Sequence, residues 1–453
     1  MDRRSFVRAG AASLAAGWTL PRWPTGSALA RPVPSAPQLA WQQEELALFL
    51  HFGVNTFTDR EWGDGRESSA IFDPTRLDAR QWARTARAAG FRALILTAKH
   101  HDGFCLWPSA TTRHSVVSSP WRGGAGDLVR EFVDACAAEG LRAGLYLSPW
   151  DRNHPTYGDT PAYNDVYAAQ LTELLTRYGR IAEVWFDGAN GEGPNGRRQV
   201  YDWPRVFGLV RRLQPEAVIF SDAGPDVRWC GNERGVAGDP NWSTVDPTVV
   251  SFPGQSGPGV EAALQHGHED GTVWRPAEVD VSIRPGWFYH PAQDARVRTV
   301  ENLIELYFSS VGRNSKLLLN VPPTRDGLIH DVDAARLTGF RARRDELFGD
   351  PLELRRVRLR TPGLGGAEWE LRRPAAPRIA RLAEDITRGQ RVASYRIEGL
   401  QDGSWRVLAT GSTIGYARLD RLPAGPPLQR VRVVIEKSVE QREPVSLQLF
   451  DRA

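Results

Sequence analysis

The sequence predicts an α/β protein: a (β/α)8-like TIM barrel followed by an antiparallel β-sandwich. Three observations carry that prediction. From about residue 45 to 321, strand-like apolar runs alternate with helix-like segments. The polar and titratable residues of this region gather just after the apolar runs, where barrel strands end. Beyond about residue 350 the texture changes to short β-prone stretches separated by turns.

Taken in order, Leu46 to Val54 is the first strand, and residues 79–89 have helical composition. Phe91 to Lys99 is a second strand. Gly126 to Glu139 is a helix, with Gly140 as its C-terminal stop. Leu141 to Ser148 is a third strand, and Tyr163 to Tyr178 the helix after it. Ile181 to Asp187 is a fourth strand, whose apolar run rises to two aromatics and stops on a carboxylate followed by glycine. Tyr201 to Leu213 reads as a helix and Ala217 to Asp222 as a strand. The stretch 223–276 is rich in Gly, Pro and Asn and reads as irregular, and long irregular stretches in a compact domain are usually functional or disordered. Val279 to Arg284 and Lys316 to Val321 are strands flanking a helix over Val297 to Ser310. The total is seven or eight β/α units, so the barrel is either complete or lacks a unit on one side. No GxGxxG follows a strand, which removes the main support for a doubly wound cofactor-binding sheet.

The barrel is expected over 45–348, with Asp333 to Leu347 a helix leading out of it, and the sandwich over 349–453. Val357 to Leu359, Trp369 to Leu371, Arg391 to Ile397, Trp405 to Ala409 and Val431 to Ile435 are its expected strands, with Asp402-Gly403 as a turn. Residues 31–44, Pro-rich at first, read as a linker or arm.

Charge narrows the function. The chain has 453 residues and a formal net charge of +3. Residues 1–30 hold Arg3, Arg4, Arg8 and Arg22 against Asp2, so the remainder is formally neutral. A nucleic-acid protein normally keeps a basic patch, and that class loses its compositional support. Arg3-Arg4-Ser5-Phe6-Val7-Arg8, the Ala- and Gly-rich run Ala9 to Leu20, and Ala28-Leu29-Ala30 read as a cleaved twin-arginine export signal over 1–30. No run is long enough to span a bilayer. Three cysteines, Cys105, Cys136 and Cys230, are too few for a disulfide framework and leave one bridge open.

The chemistry lies at the strand ends. His51 follows the first strand, Lys99-His100-His101-Asp102 the second, Tyr146 sits in the third and Asp187 ends the fourth. Neutral imidazoles suit hydroxyl recognition, because each offers one donor and one acceptor. Trp62, Trp185, Trp229, Trp242 and Trp287 fall in or near strand ends and loops, and indole faces pack on the C–H patches of sugars. Asp187, followed by Gly188, either begins a turn after its strand or serves as the nucleophile of a sugar-cleaving site. A retaining hydrolase then needs a second carboxyl about 5–5.5 Å away. Glu233, Glu261, Glu269 and Glu278 are the candidates, and the glycines around Glu233 favour it slightly.

Several motifs, in order, resemble the α-L-fucosidases of glycoside hydrolase family 29. They are His51-Phe52-Gly53, Glu61-Trp62, Lys99-His100-His101-Asp102-Gly103-Phe104, Trp185-Phe186-Asp187-Gly188 and Ser282-Ile283-Arg284-Pro285-Gly286-Trp287-Phe288-Tyr289. The resemblance covers roughly residues 45–325. It implies a retaining mechanism on an incomplete (β/α)8 barrel, followed by a C-terminal sandwich. It makes Asp187 the nucleophile and gives His51, Glu61, Trp62, His100, His101, Tyr146 and Trp185 to the fucose hydroxyls and ring. Trp287 falls to the neighbourhood of the fucose methyl. Val227 to Gly235 is similar to the subgroup that prefers α-1,3 and α-1,4 links in branched glycans, where the Glu of Gly-Asn-Glu is the acid/base. This makes Glu233 the partner of Asp187. Cys230 stands where an aliphatic residue is expected.

Leu382 to Ile386 and Thr413 to Tyr416 are similar to galactose-binding-like modules. The implied partner is a fucosylated oligosaccharide or glycoconjugate, and the mechanism requires no metal or organic cofactor. Two other readings stand beside this one: a broad α-L-fucosidase that also cleaves α-1,2 links, and a non-catalytic fucose-binding protein.

Overall fold

The computed structural model describes residues 31–357, 365–440 and 445–453. The expected export signal at 1–30 lies outside these, as do the last two residues of the strand expected at Val357 to Leu359.

Eight parallel strands close into a barrel. They are β1 (Leu46–Leu50), β2 (Ala93–Lys99), β3 (Arg142–Leu147), β4 (Glu183–Trp185), β5 (Val218–Ser221), β6 (Val227–Trp229), β9 (Ala277–Ser282) and β10 (Lys316–Asn320). Each strand pairs with the next, and β10 returns to β1. The two short strands β7 (Thr244–Val245) and β8 (Val273–Trp274) form an antiparallel ribbon outside the barrel.

The strands are buried on both faces, which explains their near-continuous apolar character. Alternation still sorts them. Ala47, Phe49, Ile95, Tyr146, Trp185, Val218, Phe220 and Leu318 fill the interior, while Leu46, Leu48, Leu50, Val184 and Phe186 pack outward.

Around the barrel lie α1 (Ala36–Gln43), α2 (Val54–Thr58), α3 (Ala79–Ala88), α4 (Leu128–Ala138), α5 (Thr160–Arg177), α6 (Trp203–Leu213), α7 (Val260–His266), α8 (Val300–Ser309) and α9 (Asp331–Phe348). Their ends follow local chemistry. Asp78 caps α3 by accepting from the N–H of Arg80 and Gln81, and Asp127 caps α4 by accepting from Arg130. Gly140, at φ 67°, ends α4 in the left-handed conformation.

Two expectations need correction. The strand cylinder is closed, so no strand is missing; the irregularity is in the helical layer, because β5 and β6 are joined by residues 222–226 without a helix. Strand β6 hides in the sequence because it has only three residues inside a Gly- and Pro-rich stretch. Its pairing comes from β5 and β9, not from its own propensity.

The second correction concerns residues 31–44, where the expected linker contains helix α1. Ser35 and Gln38 form its capping box and Pro37 sits in its first turn. The helix carries Trp41 into the base of the barrel. The Trp41 indole N–H donates to Glu183 Oε2 at 2.9 Å, and Lys316 Nζ lies 4.7 Å from its ring centre. Only eight residues long, α1 is held by this packing more than by its own propensity.

The C-terminal region has two antiparallel sheets. One orders β11 (Leu354–Val357), β12 (Gly365–Ala375), β17 (Leu428–Ser438), β14 (Val392–Gln401) and β15 (Ser404–Gly411). The other orders β16 (Arg418–Arg421), β13 (Ile379–Ala383) and β18 (Ser446–Phe450). Asp402 and Gly403, both at positive φ, make the turn between β14 and β15. Trp369, Tyr395, Ile397, Val431, Val433 and Leu449 form the core between the sheets.

This region packs on the barrel. Ile379, Leu419 and Phe450 join the barrel's outer core. Arg418 donates to both oxygens of Asp239, at 2.9 and 3.0 Å, and the Tyr416 hydroxyl donates to the Ser315 carbonyl. Cys105, Cys136 and Cys230 are all buried and free, so none is bridged to another.

Candidate active site

The inward positions of the strands climb from a base layer to the open C-terminal end. On β4 they are Glu183, then Trp185, with Asp187 one step beyond the strand. Asp187 therefore faces the mouth of the barrel because of strand periodicity. Its Oδ2 accepts from the Tyr146 hydroxyl at 3.0 Å, and its Oδ1 from the Ala189 N–H at 2.7 Å.

A cavity of about 170 Å³ opens there, lined by Phe49, His51, Trp62, His100, His101, Tyr146, Trp185, Asp187, Ala189, Glu233, Asp280 and Trp287. Nine of the ten predicted site residues are among them. The tenth, Glu61, lies behind the wall. Its carboxylate accepts from the Trp287 backbone N–H at 2.7 Å and pairs with His290 Nε2 at 2.5 Å. Trp62 stands at the rim, 60% exposed.

Of the four candidate partners for Asp187, Glu233 alone lines the cavity. Glu278 is buried in the base layer, where it accepts from the Trp185 indole at 3.0 Å. Glu269 pairs with Lys437 on the sandwich, and Glu261 is exposed in the first turn of α7. The Glu233 carboxylate accepts from the Trp287 indole N–H at 3.3 Å. Burial pushes its pKa up, and Asp187 and Glu61 push the same way; the Trp287 hydrogen bond opposes them.

The histidines are neutral and their tautomers can be read from the network. Asn320 donates through Nδ2 to the Trp287 carbonyl and to Ser282, so its Oδ1 faces His51 Nδ1 at 2.9 Å and accepts from it. Ser148 donates to the Trp150 carbonyl, so it accepts from His101 Nδ1 at 2.7 Å. Each ring is left with a bare Nε2 as acceptor. Burial lowers the pKa of all three rings, to about 3 for His51. His101 Nε2 lies 3.9 Å from Asp187 Oδ2, and that carboxylate does not offset the burial. Among the described residues, His100 Nδ1 is buried with no protein partner.

Trp229 and Trp242 are not part of the lining. The Trp229 indole donates to Asp280 at 2.7 Å, and Trp242 is buried beside the β7–β8 ribbon. Sequence reasoning passed over Asp280 and Asp222. A signal was present for both. Glu278, Asp280 and Ser282 alternate with the apolar Val279, Val281 and Ile283, so the three polar residues share the inward face. Asp222 continues the inward alternation of Val218 and Phe220.

A parallel barrel whose C-terminal mouth holds two carboxyls, neutral imidazoles and indoles defines a sugar-cleaving enzyme, a glycoside hydrolase. The alpha-L-fucosidase family model matches residues 41–341, and the chain belongs to that family. It is 47% identical to a putative alpha-L-fucosidase 1 of Oryza sativa subsp. japonica, over 86% of this chain and 80% of that protein. It is 42% identical to alpha-L-fucosidase 1 of Arabidopsis thaliana, over 90% and 85%. Among solved structures, a putative alpha-L-fucosidase from Bacteroides ovatus superposes with a TM-score of 0.83 at 47% identity, covering 93% of this chain and 74% of that one. A Ruminococcus gnavus glycoside hydrolase family 29 fucosidase in complex with fucose gives 0.80 at 31% identity, covering 94% and 96%.

Proposed function

We propose that this α-L-fucosidase is a retaining exo-enzyme that removes terminal α-1,3- or α-1,4-linked L-fucose from branched glycans by double displacement. The observation that carries the reading is that Asp187 and Glu233 face one cavity walled by neutral histidines and aromatics. Asp187 attacks the anomeric carbon while Glu233 protonates the departing oxygen; Glu233 then activates the water that releases fucose. The Tyr146 hydroxyl and the Ala189 N–H orient the attacking carboxylate. His51 and His101 accept from sugar hydroxyls through Nε2, His100 contacts the same sugar, and Trp185 and Trp287 pack on its apolar faces. Glu61 acts by holding Trp287 in place. The raised pKa of Glu233 suits a resting general acid.

The linkage preference rests on the Gly231-Asn232-Glu233 segment. We propose further that residues 1–30 direct export through the twin-arginine route to the periplasm or medium, with cleavage near Ala30.

The test is kinetic. Asp187→Ala should lose turnover, and an acid/base variant, Glu233→Ala, should release α-fucosyl azide, the retained product, when azide is added. Full activity in Asp187→Ala would end the mechanism. Rapid cleavage of a linear α-1,2 fucoside with little action on branched Lewis-type glycans would overturn the linkage assignment. Saturable glycan binding without product release would identify a binding protein instead.

A further inference from the structure

Asp280 is a third carboxyl in the wall of the cavity, and neither proposed displacement uses it. It sits on the inward face of β9, level with Leu318 of β10, and is 4% exposed. Its Oδ1 accepts from the Trp229 indole N–H at 2.7 Å.

The groups around it carry no positive charge. Trp229 of β6 supplies the indole, and Glu233 approaches from the loop after β6. Trp185 belongs to β4 and Asp187 follows it, Phe220 belongs to β5 and Asp222 follows it, and Leu318 belongs to β10. On β9 itself the inward neighbours are Ser282 above and Glu278 below. Two buried cations lie on the neighbouring strands: Lys316 of β10 is level with Glu278 and bonded to Glu44 and Glu183, and Arg228 of β6 is bonded to the Leu264 and Arg275 carbonyls and to Asn241. Among the described residues, no lysine or arginine lines the cavity.

The double displacement requires Asp187 charged and Glu233 protonated. A second fixed anion beside them, buried and without a cation, is strongly disfavoured. Burial and Glu233 both drive the Asp280 carboxyl well above the ordinary range.

Most polar groups of the cavity accept or are already committed, which leaves a neutral His100, the Trp62 indole and the Glu233 proton as its other donors. Asp187, His51 Nε2 and His101 Nε2 all accept, the Tyr146 hydroxyl is committed to Asp187, and the Trp287 indole to Glu233. A sugar carries at least one oxygen with no proton of its own, the ring oxygen. A neutral acid with one oxygen held by Trp229 presents its hydroxyl to the cavity.

We propose that Asp280 is a further functional carboxyl of this enzyme, held neutral and used as a hydrogen-bond donor to an oxygen of the bound sugar. The proposal rests on the sugar-binding reading of the same cavity.

Asparagine reproduces a neutral aspartic acid here: its oxygen accepts from Trp229 and its amide donates to the cavity. Asp280→Asn should keep kcat/KM on an aryl fucoside within about fivefold of wild type, with both limbs of the pH profile unmoved. Asp280→Leu, of similar size but without a donor, should lose about 30-fold or more. Its thermal midpoint and circular dichroism would check folding.

The proposal is overturned by an inactive, folded Asp280→Asn, or by an active Asp280→Leu. A basic limb displaced to lower pH in Asp280→Asn would also overturn it, because a charged Asp280 would then have been raising the Glu233 pKa. Infrared difference spectra of wild type minus Asp280→Asn near pH 6 should show the carbonyl stretch of a protonated carboxyl. That measurement needs no turnover. A protonated Asp280 with Asp187→Ala still active would fault the catalytic assignment and leave the state of Asp280 standing; a missing band would fault Asp280 alone.

Discussion

Both ends of the barrel interior gather three carboxyls, and they surround them differently. At the base, Glu44, Glu183 and Glu278 surround Lys316, with Nζ 2.7 Å from Glu44 and 3.6 Å from Glu183, and Arg142 reaches Glu44 at 2.6 Å. At the mouth, Asp187, Glu233 and Asp280 face a cavity with no lysine or arginine among the described residues of its wall. The same strands supply both sets: β4 carries Glu183 and leads to Asp187, and β9 carries Glu278 and Asp280. At the base Lys316 and Arg142 compensate part of the charge, while burial and Glu183 still push the Glu278 pKa well above the ordinary range. At the mouth burial raises the Glu233 pKa and drives that of Asp280 well above the ordinary range, which suits the acid and the neutral donor proposed above.

This contrast can be broken or sharpened. The largest effect is expected from Asp187→Ala, which should lower kcat on an aryl fucoside by roughly 10⁴-fold or more while leaving the thermal midpoint close to wild type. At the other end of the same strands, Lys316→Met should destabilise by about 3–5 kcal/mol, because it strands buried carboxylates without a partner. Denaturant unfolding measures this, and kcat per folded molecule should stay within about twofold. Glu233→Gln should cost roughly 10²–10⁴-fold on natural glycans and much less on substrates with good leaving groups.

The pH profile carries the sign of the Glu233 shift. An acid must hold its proton to work, so kcat/KM falls as pH rises through its pKa. Burial and the neighbouring carboxylates place that fall above the ordinary glutamate range. Glu233→Gln should abolish the basic limb; a limb that persists would belong to another group. The smallest effect is expected at the rim, where Trp62→Ala should raise KM by roughly 5–30-fold with little change in kcat.

Much of the site was legible because strand periodicity and motif order are local properties. Ile181 to Gly188 announces a strand ending on an acid, and the histidines at neighbouring strand ends point to the same mouth. Glu233 was harder, since four glutamates competed in or near one irregular stretch. The Gly-Asn-Glu resemblance favours Glu233, and the fold removes the others by sending Glu278 to the base, Glu269 to the sandwich and Glu261 to solvent. Glu61 shows the converse: its motif is evident, but its carboxylate is turned to the Trp287 backbone and His290.

By itself, then, the sequence determined the alternating β/α order, the sandwich that follows it, and the acid at the end of the fourth strand. These depend on propensity, periodicity and turn chemistry, which act within a few residues. Tertiary structure alone decided that a three-residue β6 closes the barrel, that Trp41 plugs its base, and that Glu233 and Asp280 meet Asp187. Those outcomes depend on pairing and burial between segments far apart in the chain, where a residue's charge state and partners are set by neighbours that no local pattern names.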